Sequence, residues 1–137
     1  MGNEDGVAKT YHQLGRIAQE QRDFATAEHW YRKSFDAEEK HGNAYGAATT
    51  CHQLGNLALV EGNLSTAERW YHKALATRER LHDEHGTAST CGSLGVLARA
   101  SGNYVESGQW LIKSISGFFR NQNAEEAARH QRNYGRL

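Results

Sequence analysis

The sequence contains no proline, so each turn must be made by residues such as glycine, asparagine and aspartate. It has two cysteines, Cys51 and Cys91, too few for a disulfide framework. No stretch approaches the roughly 18 consecutive apolar residues of a membrane-spanning helix. The opening MGNEDGVAKTYHQ has no apolar segment of the secretory kind. It also misses the myristoylation pattern, because Gly6 stands where Ser or Thr is required. Charge of one sign is absent too: 16 Lys plus Arg meet 16 Asp plus Glu, with a pI near 7.1. A general nucleic-acid binder would carry a basic excess. There is no glycine-rich phosphate loop, and no Ser or Cys with a His–acid pair at a suggestive spacing. These absences lead us to expect a soluble, cytoplasmic protein that is not an enzyme and needs no cofactor, metal, nucleic acid or membrane.

What is present is repetition. Shifting the sequence by forty places Leu14-Gly15 on Leu54-Gly55 and then on Leu94-Gly95. Trp30, Trp70 and Trp110 coincide, as do Lys33, Lys73 and Lys113, and Ala8, Ala48, Ala88 and Ala128. A fixed period of about 40 residues is the mark of a solenoid. An elongated stack also tolerates the mean hydropathy of -0.79 better than a sphere would. Cys51 and Cys91 share a slot of neighbouring repeats, roughly 8–10 Å apart on stacked helices. That is too far for a disulfide, so they read as small buried residues.

Asn and Asp punctuate the pattern. Asn3, Asn43, Asp83 and Asn123 fill one slot and Asp23, Asn63 and Asn103 another, each a good N-cap. Asn123 with Glu126 resembles a capping box. Gly62 and Gly102 precede caps where a helix ends best in the left-handed conformation. Arg22 holds that slot in the first repeat, so its turn is expected to be strained or differently shaped. Seven helices follow, near 4–20, 24–41, 44–60, 64–81, 84–100, 104–120 and 124–136. Ala67, Trp70, Tyr71, Ala74 and Leu75 recur at helical spacing. Gly55, in the slot of Gly15, Gly95 and Gly135, costs about 1 kcal/mol in a helix relative to Ala. Its repetition points to a close approach by a bulky Tyr or Trp of the paired helix. The tryptophan series reads as repeat core rather than as an aromatic ladder for a ligand.

Leu54, Gly55, Ala58, Gly62, Leu64, Ala67, Tyr71 and Ala74 carry a resemblance to the tetratricopeptide repeat (TPR). It extends over essentially the whole chain. The long period, with HQLG and AERWYHKAL, is similar to the 40–42-residue variety of kinesin light chains and bacterial regulators. The resemblance implies an all-α, right-handed solenoid of antiparallel helix pairs: repeats at about 3–42, 43–82 and 83–122, plus a C-terminal helix over 123–137, all in one domain. It also implies a concave groove lined by first helices, and binding of proteins or extended peptides.

On that geometry the groove is lined by Lys9, His12, Gln13 and Arg16, then His52, Gln53 and Asn56, then Ser93 and Arg99, and finally Arg129, Arg132 and Asn133. Cations outnumber carboxylates there, so an acidic segment, extended or helical, is the expected partner. Some family members clamp a terminal carboxylate, but only Asn56 and Arg129 fall on such slots, with His52 in place of Lys. His82 and His85 form the closest histidine pair, at a helix boundary where a solvated turn explains them. Two alternatives remain open: a self-associating structural unit, or the sensor part of a longer TPR regulator.

The C-terminal end departs from the repeat. Ile112 stands where Arg32 and His72 stood, Phe118 where Glu38 and Arg78 stood, and Phe119 where Glu39 and Glu79 stood. Three positions expected to be exposed have become apolar. With Tyr134 in the following helix, they mark a possible self-association surface. The other reading is that the last helix folds over the two phenylalanines as a cap.

Overall fold

The computed structural model describes residues 2–134, with side chains from 6 to 133. Among the described residues all regular structure is helical. In order these are α1 (Gly2–Glu20), α2 (Phe24–Lys40), α3 (Ala44–Val60), α4 (Leu64–Arg80), α5 (Glu84–Ala100) and α6 (Tyr104–Tyr134). Each helix packs on the next, within pairs α1–α2, α3–α4 and α5–α6 and across the seams α2–α3 and α4–α5. No helix among the described residues is long and apolar enough to cross a membrane.

The turns recur every twenty residues with one geometry. At the end of α3 the Asn63 N–H bonds the Ala58 carbonyl at 2.8 Å, and the Gly62 N–H bonds that of Leu59 at 3.0 Å. This is the Schellman arrangement, closed by a left-handed residue, with φ +70 at Gly42, +78 at Gly62 and +83 at Gly102. Arg22 (φ 61) and His82 (φ 55) take the same conformation without being glycine. Arg22 makes the same pair of bonds, to Gln19 at 3.0 Å and from Asp23 to Ala18 at 2.9 Å. The first turn therefore keeps the common shape and bears a strain on the order of 1 kcal/mol. The next residue starts the following helix: the side chains of Asp23, Asn43 and Asp83 accept from Thr26, Gly46 and Gly86 backbone N–H groups.

The core follows the repeat. One cluster joins Ala18, Ala27, Tyr31, Leu54 and Leu57, with Trp70 packed against it. A second joins Tyr71, Leu75, Cys91, Leu94 and Leu97, with Trp110 against it. The tryptophans thus sit at the rim of the core, half-buried, while Tyr31 and Tyr71 are fully enclosed. A Cβ on Gly55 would stand 2.6 Å from the Tyr71 ring, and one on Gly15 would stand 2.7 Å from that of Tyr31. The glycine slot is therefore the seat of a tyrosine ring. Cys51 and Cys91 are free and buried.

Among the described residues six helices stand where seven were expected. The break foreseen at Asn123 is absent, and α6 runs on to Tyr134, so Asn123 caps nothing. Gln122, Ala124, Glu125, Glu126, Ala127 and Ala128 are good helix formers. Side-chain bonds from Asn121 to Glu125 (3.4 Å) and from Gln122 to Glu126 (3.2 Å) staple the helix across the expected break. Arg22 and His82 turn without glycine because the helix beyond each has Phe24 and Ala27, or Cys91 and Leu94, to bury. The stretch after Gln122 offers little beyond alanine. The cap reading fails with it among the described residues: Phe118 and Phe119 stay 39% and 61% exposed, Phe118 meets the His85 ring at 5.3 Å, and the stretch after Gln122 continues α6 instead of folding over them.

Candidate functional site: the face of the first helices

The face shared by α1, α3 and α5 is organised by polar runs that start on α4. Arg78 Nη1 lies 3.0 Å from His52 Nδ1. A guanidinium can only donate, so Nδ1 accepts and the ring proton sits on Nε2. That N–H donates to Ser93 Oγ at 2.9 Å. Beside it the Tyr71 hydroxyl donates to Asn56 Oδ1 at 2.6 Å. The Asn56 amide then reaches Gln53 Oε1 at 3.4 Å. Two short runs of donors, Arg78–His52–Ser93 and Tyr71–Asn56–Gln53, thus link α4, α3 and α5 and fix the orientation of their members.

Burial and the adjacent Arg78 lower the pKa of His52 to about 4, so it is neutral at physiological pH. Burial raises the Tyr71 phenol to about 12. The His52 ring meets that of Tyr71 at 5.4 Å between centroids, and His12 meets Tyr31 at 5.2 Å. Its pKa is lowered by burial and by Arg16. Cys51 is pushed up to about 12 and Cys91 also upward, mainly by burial. Both are therefore poor nucleophiles.

Arg78 is the residue that sequence reasoning missed. Its slot, shared with Glu38 and Phe118, was expected to be exposed. Glu38 is instead buried, accepting from Thr50 Oγ1 at 2.6 Å and Ser34 Oγ at 3.1 Å. Burial raises its pKa against those two bonds. Arg78 is half-buried, and its guanidinium donates to the Gly86 carbonyl (3.1 Å), to Thr90 Oγ1 (2.9 Å) and, more weakly, to Thr49 Oγ1 (3.5 Å). Its hydrogen-bond acceptors are neutral, and the Asp83 carboxylate acts on it through space, favouring its charge against the desolvation of burial. The available signal was the Thr50–Thr90 slot, which places a hydroxyl across each seam from residue 38 or 78.

The expected groove residues divide into three groups. Lys9, Gln13 and Arg16 are exposed on α1, and Arg99 is exposed at the end of α5. His12, His52, Gln53, Asn56 and Ser93 are half-buried, with His52, Asn56 and Ser93 committed to the internal runs. Arg129, Arg132 and Asn133 are exposed on the far part of α6 and do not join the others. The hollows beside them are lined by α6 alone, so they are furrows of one helix. Ile112 is 65% exposed on α6 near Phe118 and Phe119. The side chain of Tyr134 lies outside the described residues. Among the described residues no group of three or more His, Cys, Asp or Glu side chains could hold a metal ion.

Paired helices of seventeen residues, a glycine seat for a buried tyrosine and a forty-residue register coincide with a match to the tetratricopeptide repeat model over residues 7–42 and 47–85. The chain belongs to the tetratricopeptide repeat family. The fold is similar to the crystal structure of BtubC (BKLC) from P. vanneervenii, with TM-score 0.81 and 22% identity, over 88% of this chain and 51% of that one. It is also similar to the N-terminal domain of stress-induced protein-1 (STI-1) from C. elegans, with TM-score 0.72 and 19% identity, over 84% of this chain and 87% of that one. The TPR chain thus spans about half the length of the BtubC chain. No curated protein matches the sequence. TPR folds generally serve as protein-interaction modules, so protein partners are the class this architecture supports.

Proposed function

We propose that the face of α1, α3 and α5 is a concave groove that holds an acidic peptide segment, extended or helical. The observation that carries this reading is Arg78. A half-buried guanidinium at the α3–α5 seam has only neutral hydrogen-bond acceptors, with the Asp83 carboxylate acting on it through space, and this places a positive charge beside the face where a ligand would lie. Lys9, Arg16 and Arg99 add exposed cations on the same helices. Charge complementarity of this kind steers encounter and fixes register more than it adds raw affinity. Neutral His52, with both ring nitrogens already bonded, contributes shape, while Gln53 and the second N–H of the Asn56 amide present polar contacts to a peptide backbone.

The test is fluorescence anisotropy with a labelled glutamate-rich peptide of about 12 residues. Binding should weaken on raising the salt, because the Debye length is only about 8 Å at physiological ionic strength. Arg16→Glu and Arg99→Glu should each weaken it several-fold with the helix content unchanged. Binding that ignores both substitutions and the salt would place the site elsewhere.

A further inference from the structure

The two ends of the Arg78 guanidinium are used unequally. Nη1 carries two hydrogens and meets three acceptors: Thr90 Oγ1 at 2.9 Å, His52 Nδ1 at 3.0 Å and the Gly86 carbonyl at 3.1 Å. That nitrogen is saturated, and it ties the group to α3 and α5. Nη2 also carries two hydrogens. Among the described residues its one acceptor is Thr49 Oγ1, at 3.5 Å, the outer limit of a hydrogen bond. At least one charged N–H therefore has no acceptor in the fold. The Asp83 carboxylate acts on Arg78 through space, but its Oδ1 accepts from the Gly86 N–H at 2.9 Å.

The less-used end lies beside the groove face. Thr49, His52 and Asn56 follow one another at i, i+3 and i+7 on α3, so they share a face, and all three are half-buried. The Thr49 hydroxyl donates to the Tyr45 carbonyl at 3.2 Å, so towards Nη2 it only accepts. Tyr45, one turn earlier, is 63% exposed and close enough to act on the charge of Arg78. The arrangement occurs at one seam. In the same slot of the preceding repeat Glu38 is 8% exposed and accepts from Thr50 and Ser34. In the following repeat the slot holds Phe118, whose side chain has no donor. Lys9, Arg16 and Arg99 are exposed, where water competes for each contact they make.

We infer that Arg78 Nη2 receives one glutamate side chain of the bound peptide, and that this contact sets the peptide's register on α3 and α5. The inference rests on the groove reading above and names a contact within it. A carboxylate suits the position because it only accepts, and a charge-assisted bond is stronger than the bond it replaces, a long one to a neutral hydroxyl. The guanidinium is already held through Nη1, so little side-chain ordering is added when the ligand arrives. Because Arg78 is half-buried, the extra methylene of glutamate gives it the reach that aspartate lacks.

Fluorescence anisotropy compares the labelled glutamate-rich peptide, acetylated and amidated, with versions carrying aspartate or glutamine in place of every glutamate. The glutamate form should bind several-fold more tightly than the aspartate form, and the glutamine form should not bind. Arg78→Lys keeps the charge but not the planar fork, so it should weaken binding about ten-fold and erase the preference for glutamate, with the response to salt unchanged. Circular dichroism checks that this variant is folded. NMR of the parent protein needs no variant: the Arg78 guanidinium resonances should shift on adding the glutamate peptide. Propionate, the glutamate side chain without a peptide, should move them more than those of Arg16 or Arg99 at constant ionic strength. A folded Arg78→Lys that binds as well as the parent overturns the inference, as do Arg78 resonances that move no more than those of Arg16. Binding that needs a free C-terminal carboxylate on the peptide overturns it too. If Arg16→Glu, Arg99→Glu and salt weaken binding while Arg78 does not respond, the groove stands and the glutamate contact fails. If propionate moves Arg78 but no peptide binds, the carboxylate site stands and the groove reading fails.

Discussion

Replacing Gly55 by Ala sets two effects of opposite sign against each other. Removing a mid-helix glycine is worth about 1 kcal/mol in favour of the variant. The new methyl, however, would stand 2.6 Å from Cδ1 and Cε1 of Tyr71 and 3.2 Å from its Cγ. The ring has no freedom to retreat: it is 0% exposed, and its hydroxyl is held by Asn56 at 2.6 Å. Moving it would stretch that bond and shift α4 against α3, an overpacking cost of about 1–3 kcal/mol. The net expectation is a loss of about 0–2 kcal/mol, seen as a lower urea midpoint with unchanged slope. Gly95→Ala is the internal control. Its methyl would meet Leu111 Cδ2 and Cγ at 2.8 Å and the Ser107 carbonyl oxygen at 3.3 Å, but Leu111 is 40% exposed and has room to turn away, so the remaining crowding is slight. There the propensity gain should win, leaving stability equal or about 0.5–1 kcal/mol higher. The informative quantity is the difference between the two variants. If Gly55→Ala proves as stable as Gly95→Ala, the glycine is not a seat for the ring and the packing argument fails.

Three further outcomes follow from the polar seams. The folded pKa of His52, about 4, lies below the ordinary 6.5. Its contribution is therefore complete above pH 6.5 and is lost as pH falls towards 4. After allowance for its partial exposure, urea midpoints should report a loss of about 1–2 kcal/mol between pH 7 and pH 5 that His52→Gln abolishes; an equal slope in the variant would refute this. Glu38 has the opposite sign, because burial raises its pKa, so Glu38→Gln, which keeps the acceptor oxygen for Thr50, should leave stability at pH 7 equal or slightly higher. A loss above about 2 kcal/mol would mean that the buried charge itself is needed. Tyr71→Phe leaves Asn56 Oδ1 without its 2.6 Å donor and should cost about 1 kcal/mol in the same assay.

The sequence by itself determined the local structure and its spacing. Asn or Asp ends every turn, Gly42, Gly62 and Gly102 supply left-handed residues, and apolar side chains recur at helical spacing. Each of these acts over a few residues, so a forty-residue period exposes it three times and leaves little ambiguity about helices or family. The glycine seat was legible for the same reason: Gly15, Gly55 and Gly95 repeat where only a close approach repays the cost.

Tertiary packing decided the rest. Glu38, Arg78 and Phe118 share a slot but differ in chemistry, and whether that slot is exposed depends on whether a helix lies across the seam. Thr50 and Thr90 cover the first two; among the described residues no helix lies across the seam from the third. The same dependence set the fate of Gln122–Asn123. The turn signal there is as good as at Arg22–Asp23, but a turn persists only when the helix beyond it has a surface to bury. With alanines and charged residues after Gln122, continuing the helix wins, and this single local outcome moves Arg129, Arg132 and Asn133 out of the groove.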